Sequence, residues 1–518
     1  MRGPVATTDR MIDHLDPPTL AAEPEAFDEL FVVAGLHLGG RRFDAGEALA
    51  AMIRELGARA APRLALVIAG ELFDLPPGAG PEDFASVAAT PACAPVFAAL
   101  AEFARTPGRR LALVLGSDDR ELATAPTRRW LSKTLAADAG RVELAFGGWG
   151  YAARVGERRV LVAHGGDEAE PGTAVDFEQL RARNLAEARG SSALASEPLA
   201  GLELRALVHA RAARHPLLAL LGPATPALAP VLAALDPEDT GPLLAALRAL
   251  DLRRSASAAR AHASGSRLLG AAASEPSDAS LHERYLAPTL RDDPIVSNDD
   301  AAALLWSAKV AIASGRDPRA RARAGMLGAW DRSAGASSPR QRRSHGQNQA
   351  RPVDGPQALA RALSRWVEAA GGFELDGDDP SLAALDRLVG PSVDVLIAGH
   401  GGRPRACLRA RAPGRAYFNP GGWSRALRPR VEALRDPAAR ERLWRAATAG
   451  SLAALEDPDL ATLADLGGLP GVCEGEDLRG LVVHAATLVG VHPDHALLYR
   501  ARPGGELEPL PDTRLPRA

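Results

Sequence analysis

Leu30-Phe31-Val32-Val33-Ala34-Gly35-Leu36-His37-Leu38-Gly39 is an apolar run that ends on a glycine and is followed by a histidine between two leucines. An uncharged run of this length bounded by glycine reads as a strand buried on both faces. The arrangement returns twice downstream. Leu64-Ala65-Leu66-Val67-Ile68-Ala69 precedes Gly70-Glu71-Leu72-Phe73-Asp74, and Leu111-Ala112-Leu113-Val114-Leu115 precedes Gly116-Ser117-Asp118-Asp119. Helical spacing fills the intervals: Leu49, Met52, Ile53 and Leu56 within 45–60, a second helix over 84–103 interrupted by Pro91 and Pro95, and a third near Trp130 to Leu135. Three strand–helix alternations predict a parallel sheet covered on both faces. The polar residues just past each strand then lie where open α/β sheets place their sites.

Farther along, Val142 to Phe146, Tyr151 to Val155 and Arg159 to Ala163 predict shorter antiparallel strands, with Gly156-Glu157 turning the last pair. The third of these leads into His164-Gly165. Val393 to Ala398 leads into Gly399-His400-Gly401, and Ala416 to Gly421 follows. Leu481 to Leu488 and Ala496 to Arg500 are expected to close a second sheet. Residues 1–26 read as a loose polar leader, 27–176 and 391–505 as two parts of one core, and 506–518 as a tail. The alanine- and leucine-rich stretch 177–390 between the parts does not alternate. It reads as a largely helical insertion, for example over Leu199 to Ala212 and Ala301 to Ala313. Within it, 333–355 is rich in Ser, Gly, Gln, Pro and Arg and is expected to be disordered.

The bulk properties narrow the function classes. The 518 residues carry 46% hydrophobic and 24% charged side chains and a net charge of −3, ordinary for a globular protein and unlike a nucleic-acid binder. Cys93, Cys407 and Cys473 are far apart and form no C-x-x-C, so neither a cysteine metal site nor a disulfide framework is expected. The N-terminal residues lack the apolar stretch of a secretion signal, so a reducing, cytoplasmic location is expected. Pro216 to Leu235 holds no charged residue, but its four prolines oppose a membrane-spanning helix. A buried or surface-lying helical hairpin is expected there, with peripheral contact to the inner face of a membrane, made through the insertion, as a further reading.

The order His37, Glu71-x-x-Asp74, Ser117-Asp118-Asp119, His164, His400 resembles the motif series of the calcineurin-like metallophosphoesterases, which runs D-x-H, G-D-x-x-D, G-N-H-[DE], a lone H, and G-H-x-H. Tyr417-Phe418-Asn419-Pro420-Gly421 resembles the segment that follows the last motif. Leu36-His37-Leu38-Gly39 with Leu72-Phe73-Asp74 is most similar to the UDP-2,3-diacylglucosamine hydrolase branch. The resemblance spans roughly 31–176 and 393–500. It implies an α/β fold, a two-sheet αββα sandwich of the calcineurin-like type, interrupted by a large helical insertion. In the family, two divalent metals about 3.5–4 Å apart activate a water for attack on phosphorus.

Carried over position by position, the motifs are incomplete. The first Asp is Gly35, and its His is kept as His37. The bridging Asp is Glu71, and Asp74 and Asp119 are kept. The Asn and His of the third motif are Ser117 and Asp118, and the last His is Gly402. The resemblance therefore implies at most one divalent ion (Zn, Mn or Fe), on Glu71, His164 and His400 with His37 beside them; His2Glu is a sufficient catalytic zinc set. His37 and Asp118 are the candidate catalytic groups. Two functions stay open on the sequence. One is a one-metal hydrolase of a small phosphoester or pyrophosphate. The other is a metal-free pseudoenzyme that binds a ligand or partner as a scaffold.

Overall fold

A computed structural model of the chain describes residues 24–135, 141–146, 150–166, 180, 203–222, 225–237, 240–250, 281, 354–369, 374–465 and 477–515. They divide into two compact units. One holds 1–224, 368–430 and 450–518, and the other 225–367 and 431–449. The expected insertion, 177–390, is thus divided: its described residues 203–222 and 374–390 belong with the core, and those between 225 and 367 with the second unit.

The first unit is an α/β structure with two mixed sheets. In the larger, β2 (Glu29–Val33), β3 (Leu64–Ala69), β4 (Arg109–Val114) and β5 (Val142–Ala145) run parallel. They are connected through α1 (Gly46–Ala58), α2 (Pro81–Ala88) with α3 (Ala94–Arg105), and α4 (Ala125–Thr134). Beside β2 stand β14 (Thr487–Val491), β15 (Ala496–Ala501) and β16 (Leu507–Pro509), all antiparallel. The smaller sheet has the order β1 (Glu25–Phe27), β6 (Tyr151–Val155), β7 (Arg158–Ala163), β8 (Val395–Ala398), β10 (Ala416–Pro420), β9 (Pro404–Leu408).

Alternation along the strands sets the layers, because successive side chains leave opposite faces. Phe31, Val33, Leu66, Ile68 and Leu113 pack with Leu49, Met52, Ile53, Val96 and Leu100 of the helices. Leu30, Val32, Ala65 and Val67 turn the other way and share a core with Val160, Val162, Ile397 and Phe418 of the second sheet. The far face of that sheet, Leu396, Ala398 and Tyr417, is covered by Leu385 of helix Pro380–Leu388. Residues leaving a strand at its carboxyl end between these layers are fixed from both sides.

Several expectations are corrected. Val142–Ala145 runs parallel to β4, not antiparallel, since α4 returns the chain to the starting edge before β5 begins; only β6 and β7 form the hairpin about Gly156. The segments 481–488 and 496–500 do not close the second sheet. β14 pairs with β2 and brings β15 with it, covering a strand edge that would otherwise expose unpaired backbone; β13 (Val482–Val483) instead lies between β11 (Ala426–Leu427) and β12 (Leu478–Arg479) in a small separate sheet. Glu25–Phe27, expected at the end of a loose leader, pairs with β6, and Leu507–Pro509 of the expected tail pairs with β15. The helix expected over 84–103 is two helices, because Pro91 cannot donate the bond a continuous helix needs. In place of a hairpin, Pro216 to Leu235 forms 3-10 turns at Pro216–Leu220 and Pro226–Leu228 and the short helix Ala229–Leu235, each opening on or beside a proline. Among the described residues no helix is long and apolar enough to cross a membrane.

The second unit is built of helices and the turns between them, with no strand among its described residues. Helix Gly355–Ala369 buries Leu359, Leu363 and Trp366, and the Trp444 ring of helix Pro437–Thr448 lies against Gly355. The expected helix over 301–313, the disordered reading of 333–353 and the leader residues 1–23 lie outside the described residues.

Candidate metal centre

Three loops at the carboxyl ends of β2, β3 and β4 are bound to one another before any side chain enters the site. His37 N–H donates to the Glu71 carbonyl and Leu38 N–H to the Leu72 carbonyl, both at 2.9 Å. The Asp119 carboxylate accepts the N–H groups of Leu72 (3.1 Å), Phe73 (3.0 Å) and Gly116 (3.3 Å). Burial pushes the Asp119 carboxyl up to about 6, against the Phe73 and Leu72 bonds, which pull it down. Asp119 is therefore a clamp on the Glu71 loop, as its loop position suggests.

The second sheet brings the other two groups. His400 N–H donates to the His164 carbonyl at 2.9 Å, and Asn419 Nδ2 donates to the His400 carbonyl at 2.6 Å. A β-carbon at Gly70 would lie 2.5 Å from His164 Nδ1, and one at Gly399 would lie 2.0 Å from the Ala69 carbonyl oxygen. Only glycine permits the two sheets to meet this closely.

Glu71, His164 and His400 converge: one ligand atom from each lies within 4.8 Å of the others. His400 Nδ1 is 3.2 Å from His164 Nε2 and 3.5 Å from Glu71 Oε1. Ligands about 2.0–2.1 Å from a tetrahedral zinc stand about 3.3 Å apart, so these two separations bracket the edge of such a site. His164 Nδ1 donates to the Ala69 carbonyl at 3.3 Å, which puts the ring's lone pair on Nε2, the side facing His400. Glu71 is almost fully buried, and its Oε1 makes no hydrogen bond shorter than the 3.5 Å contact with His400. Burial alone would raise the Glu71 carboxyl, but His37 and His400 overcome this and hold it well below the usual carboxylate range.

Among the described non-glycine residues, only His37 (φ 49°) and Glu71 (φ 56°) have positive φ. Each such placement costs on the order of 1–3 kcal/mol and persists where the surroundings over-determine it. Among the described non-glycine residues this strain thus falls on Glu71 and on His37, which faces it.

His37 stands at the edge of the centre. Its Nε2 is 3.2 Å from Glu71 Oε2, while its Nδ1 faces Arg42 Nη2 at 2.8 Å. Asp118 is turned to Arg205, whose Nε lies 3.4 Å from Asp118 Oδ1; the same guanidinium reaches Glu121 at 3.5 Å and the Leu75 carbonyl at 2.5 Å. Asp74 lies 4.0 Å from both Arg42 and His209. Gly35 and Gly402, which stand where the motif series named above would place ligands, have φ of +60° each, and a β-carbon on Gly402 would meet nothing within 4 Å. Arg42 and Arg205 escaped the sequence reading. Both approach through contacts distant in sequence, and neither belongs to a motif.

Comparison with models of protein families, with curated proteins and with solved structures finds no match to this chain.

Proposed function

We propose that the chain is a calcineurin-like phosphoesterase-fold protein that hydrolyses a small phosphoester or pyrophosphate with a single divalent cation. The observation that carries this reading is the meeting of Glu71 Oε1, His164 Nε2 and His400 Nδ1 at metal-ligand spacing, with a buried carboxylate oxygen that lacks a short hydrogen bond. Two imidazoles and one carboxylate suit Zn, Mn or Fe. A cation bound there would polarise a phosphoryl oxygen and lower the pKa of a water. The chain's own residues do the rest. The Ala69 carbonyl orients His164, the Asn419 amide fixes the His400 backbone, and the Asp119 clamp holds Glu71 in its strained conformation. Asp118 remains the candidate for handling a proton near the substrate, with Arg205 holding its carboxylate in place, while His37, whose ring lies between Arg42 and Glu71, supports the Glu71 carboxylate.

A second reading is favoured by Gly35 and Gly402, which leave one of the family's two metal positions with only His37 and Glu71 as protein ligands. In that reading the protein is a pseudoenzyme that uses the same crevice to bind a ligand or partner. Contact with a membrane surface through the insertion belongs with this reading and is tested by flotation with anionic liposomes. Elemental analysis of protein purified from Zn-, Mn- and Fe-supplemented medium, run beside turnover of an aryl phosphodiester, separates the two. One equivalent of metal with turnover that His400→Ala abolishes supports the hydrolase. Metal without turnover favours the binding role, and less than about a tenth of an equivalent ends the metal reading altogether.

A further inference from the structure

Arg42 decides what His37 can do. The residue is buried, and its Nη2 lies 2.8 Å from His37 Nδ1. A guanidinium only donates. His37 Nδ1 must therefore present its lone pair to Arg42, and the ring proton must sit on Nε2. That nitrogen is 3.2 Å from Glu71 Oε2, so His37 donates to the carboxylate. For His37 to ligate a cation through Nε2, the proton would have to move to Nδ1, where two donors would confront each other across 2.8 Å.

The guanidinium has little room to retreat. A β-carbon at Gly222 would lie 2.2 Å from Arg42 Nη1, so the chain closes over the guanidinium at a residue without a side chain. The Arg42 carbonyl accepts Arg425 N–H at 2.8 Å, and Arg42 Nε stands 4.0 Å from Asp74 Oδ2. The ring, in turn, occupies one oxygen of Glu71 and leaves Oε1 for the side of His164 and His400.

We infer that Arg42 is a positioning residue that converts His37 from a cation ligand into a hydrogen-bond donor to Glu71, and so restricts the centre to one cation. The restriction rests on the metal reading proposed above; the placement of the ring proton does not.

The test uses full-length protein with 15N-labelled histidine rings, first in chelator-treated buffer. The His37 resonances, assigned by their loss in His37→Gln, are expected to show an unprotonated Nδ1 and a protonated Nε2. Arg42→Lys, which keeps a donor, should retain this pattern, and Arg42→Gln, which can accept at the same place, should mix the two tautomers. A protonated Nδ1 in the wild type overturns the inference, as does an Arg42→Gln protein whose ring is unchanged. The wild-type measurement alone decides should Arg42→Gln not fold. Zn titration is the second arm: His37→Gln should keep one equivalent and bind it about 10- to 100-fold more weakly, the usual effect of losing a partner of a metal ligand. Loss of the equivalent would mean that His37 is itself a ligand and would refute the assignment. Protein that takes up no Zn at all defeats the proposed hydrolase, while the ring spectrum still tests Arg42.

Discussion

The centre has two unequal halves built at the same strand ends. On one side, Glu71, His164 and His400 meet at ligand spacing, each backed by a hydrogen bond to its loop or ring. On the other, Gly35 and Gly402 carry no side chain, and His37 is turned into an Arg42–His37–Glu71 chain of hydrogen bonds. In this poorer half Gly35, His37 and Gly402 all have positive φ. The two halves therefore differ in which side chains stand at the strand ends, and it is these side chains, more than the sheets beneath them, that decide what the centre can hold.

The largest expected effect comes from the intact half. His164→Ala removes a nitrogen that the Ala69 carbonyl orients, and the remaining pair cannot satisfy a cation that takes three or four protein ligands. Bound Zn should fall from one equivalent to less than about a tenth, read by elemental analysis after dialysis. Retention of the full equivalent would place the cation elsewhere. The reverse experiment rebuilds the poor half. Gly402→His has room for its β-carbon, while a β-carbon at Gly35 lies 3.1 Å from Gly422 Cα and needs a small shift. Each non-glycine residue at φ near +60° costs about 1–2 kcal/mol, less for Asp. The Gly35→Asp, Gly402→His, Arg42→Gln triple variant should lose about 2–4 kcal/mol of stability and move Zn uptake toward two equivalents. Uptake fixed at one would show that more than missing ligands separates the halves.

Much of this arrangement is legible in the sequence, for a physical reason. Buried strands announce themselves as apolar runs closed by glycine, and the first or second residue after that glycine falls at the sheet's carboxyl edge. Leu30–Ala34, Leu64–Ala69 and Val393–Ala398 place His37, Glu71 and His400 in this way. The direction of β5 and the sheet that takes β14 and β15 could not be read, because an apolar run carries no mark of its neighbour; pairing is decided by whichever edge is left open, here that of β2. Arg42 and Arg205 were hidden for a related cause. Their roles depend on which groups lie within reach of a long side chain, His37 and Gly222 for one, Asp118 and Leu75 for the other.

A smaller effect should come from the clamp behind the richer half. Asp119→Ala leaves three loop N–H groups without their acceptor and should cost about 1–3 kcal/mol in chemical denaturation. Zn affinity should fall with it, since Glu71 would no longer be held in its strained conformation. The carboxyl is raised from 3.8 to about 6 in the folded chain, so the native state binds the proton more tightly than the unfolded one. Its contribution to stability is therefore greatest below pH 3.8 and is lost as pH rises through about 6. Asp119→Asn should flatten that portion of the stability profile, and a profile unchanged between the two proteins would rule out Asp119 as its source.

The smallest expected effect lies at the other end of β2 and serves as the control. Glu29 opens the strand that leads to His37, and it accepts from Arg59 Nε at 2.7 Å and Nη2 at 3.0 Å, with His492 Nδ1 3.4 Å away. His492 first, and then Arg59, lower its carboxyl from 4.5 to about 2 against the cost of burial. The unfolded chain then binds the proton more tightly, so the stability from Glu29 is present above pH 4.5 and disappears as pH falls toward 2. The pair is partly open to solvent, which limits the loss in Glu29→Gln to under about 1 kcal/mol at neutral pH. The variant should lose the acid limb of the stability curve while keeping one equivalent of Zn and the His37 ring pattern. If Zn uptake or the ring pattern changed instead, the two ends of β2 would be coupled through the strand, and the inequality of the two halves could no longer be assigned to the side chains at its carboxyl end alone.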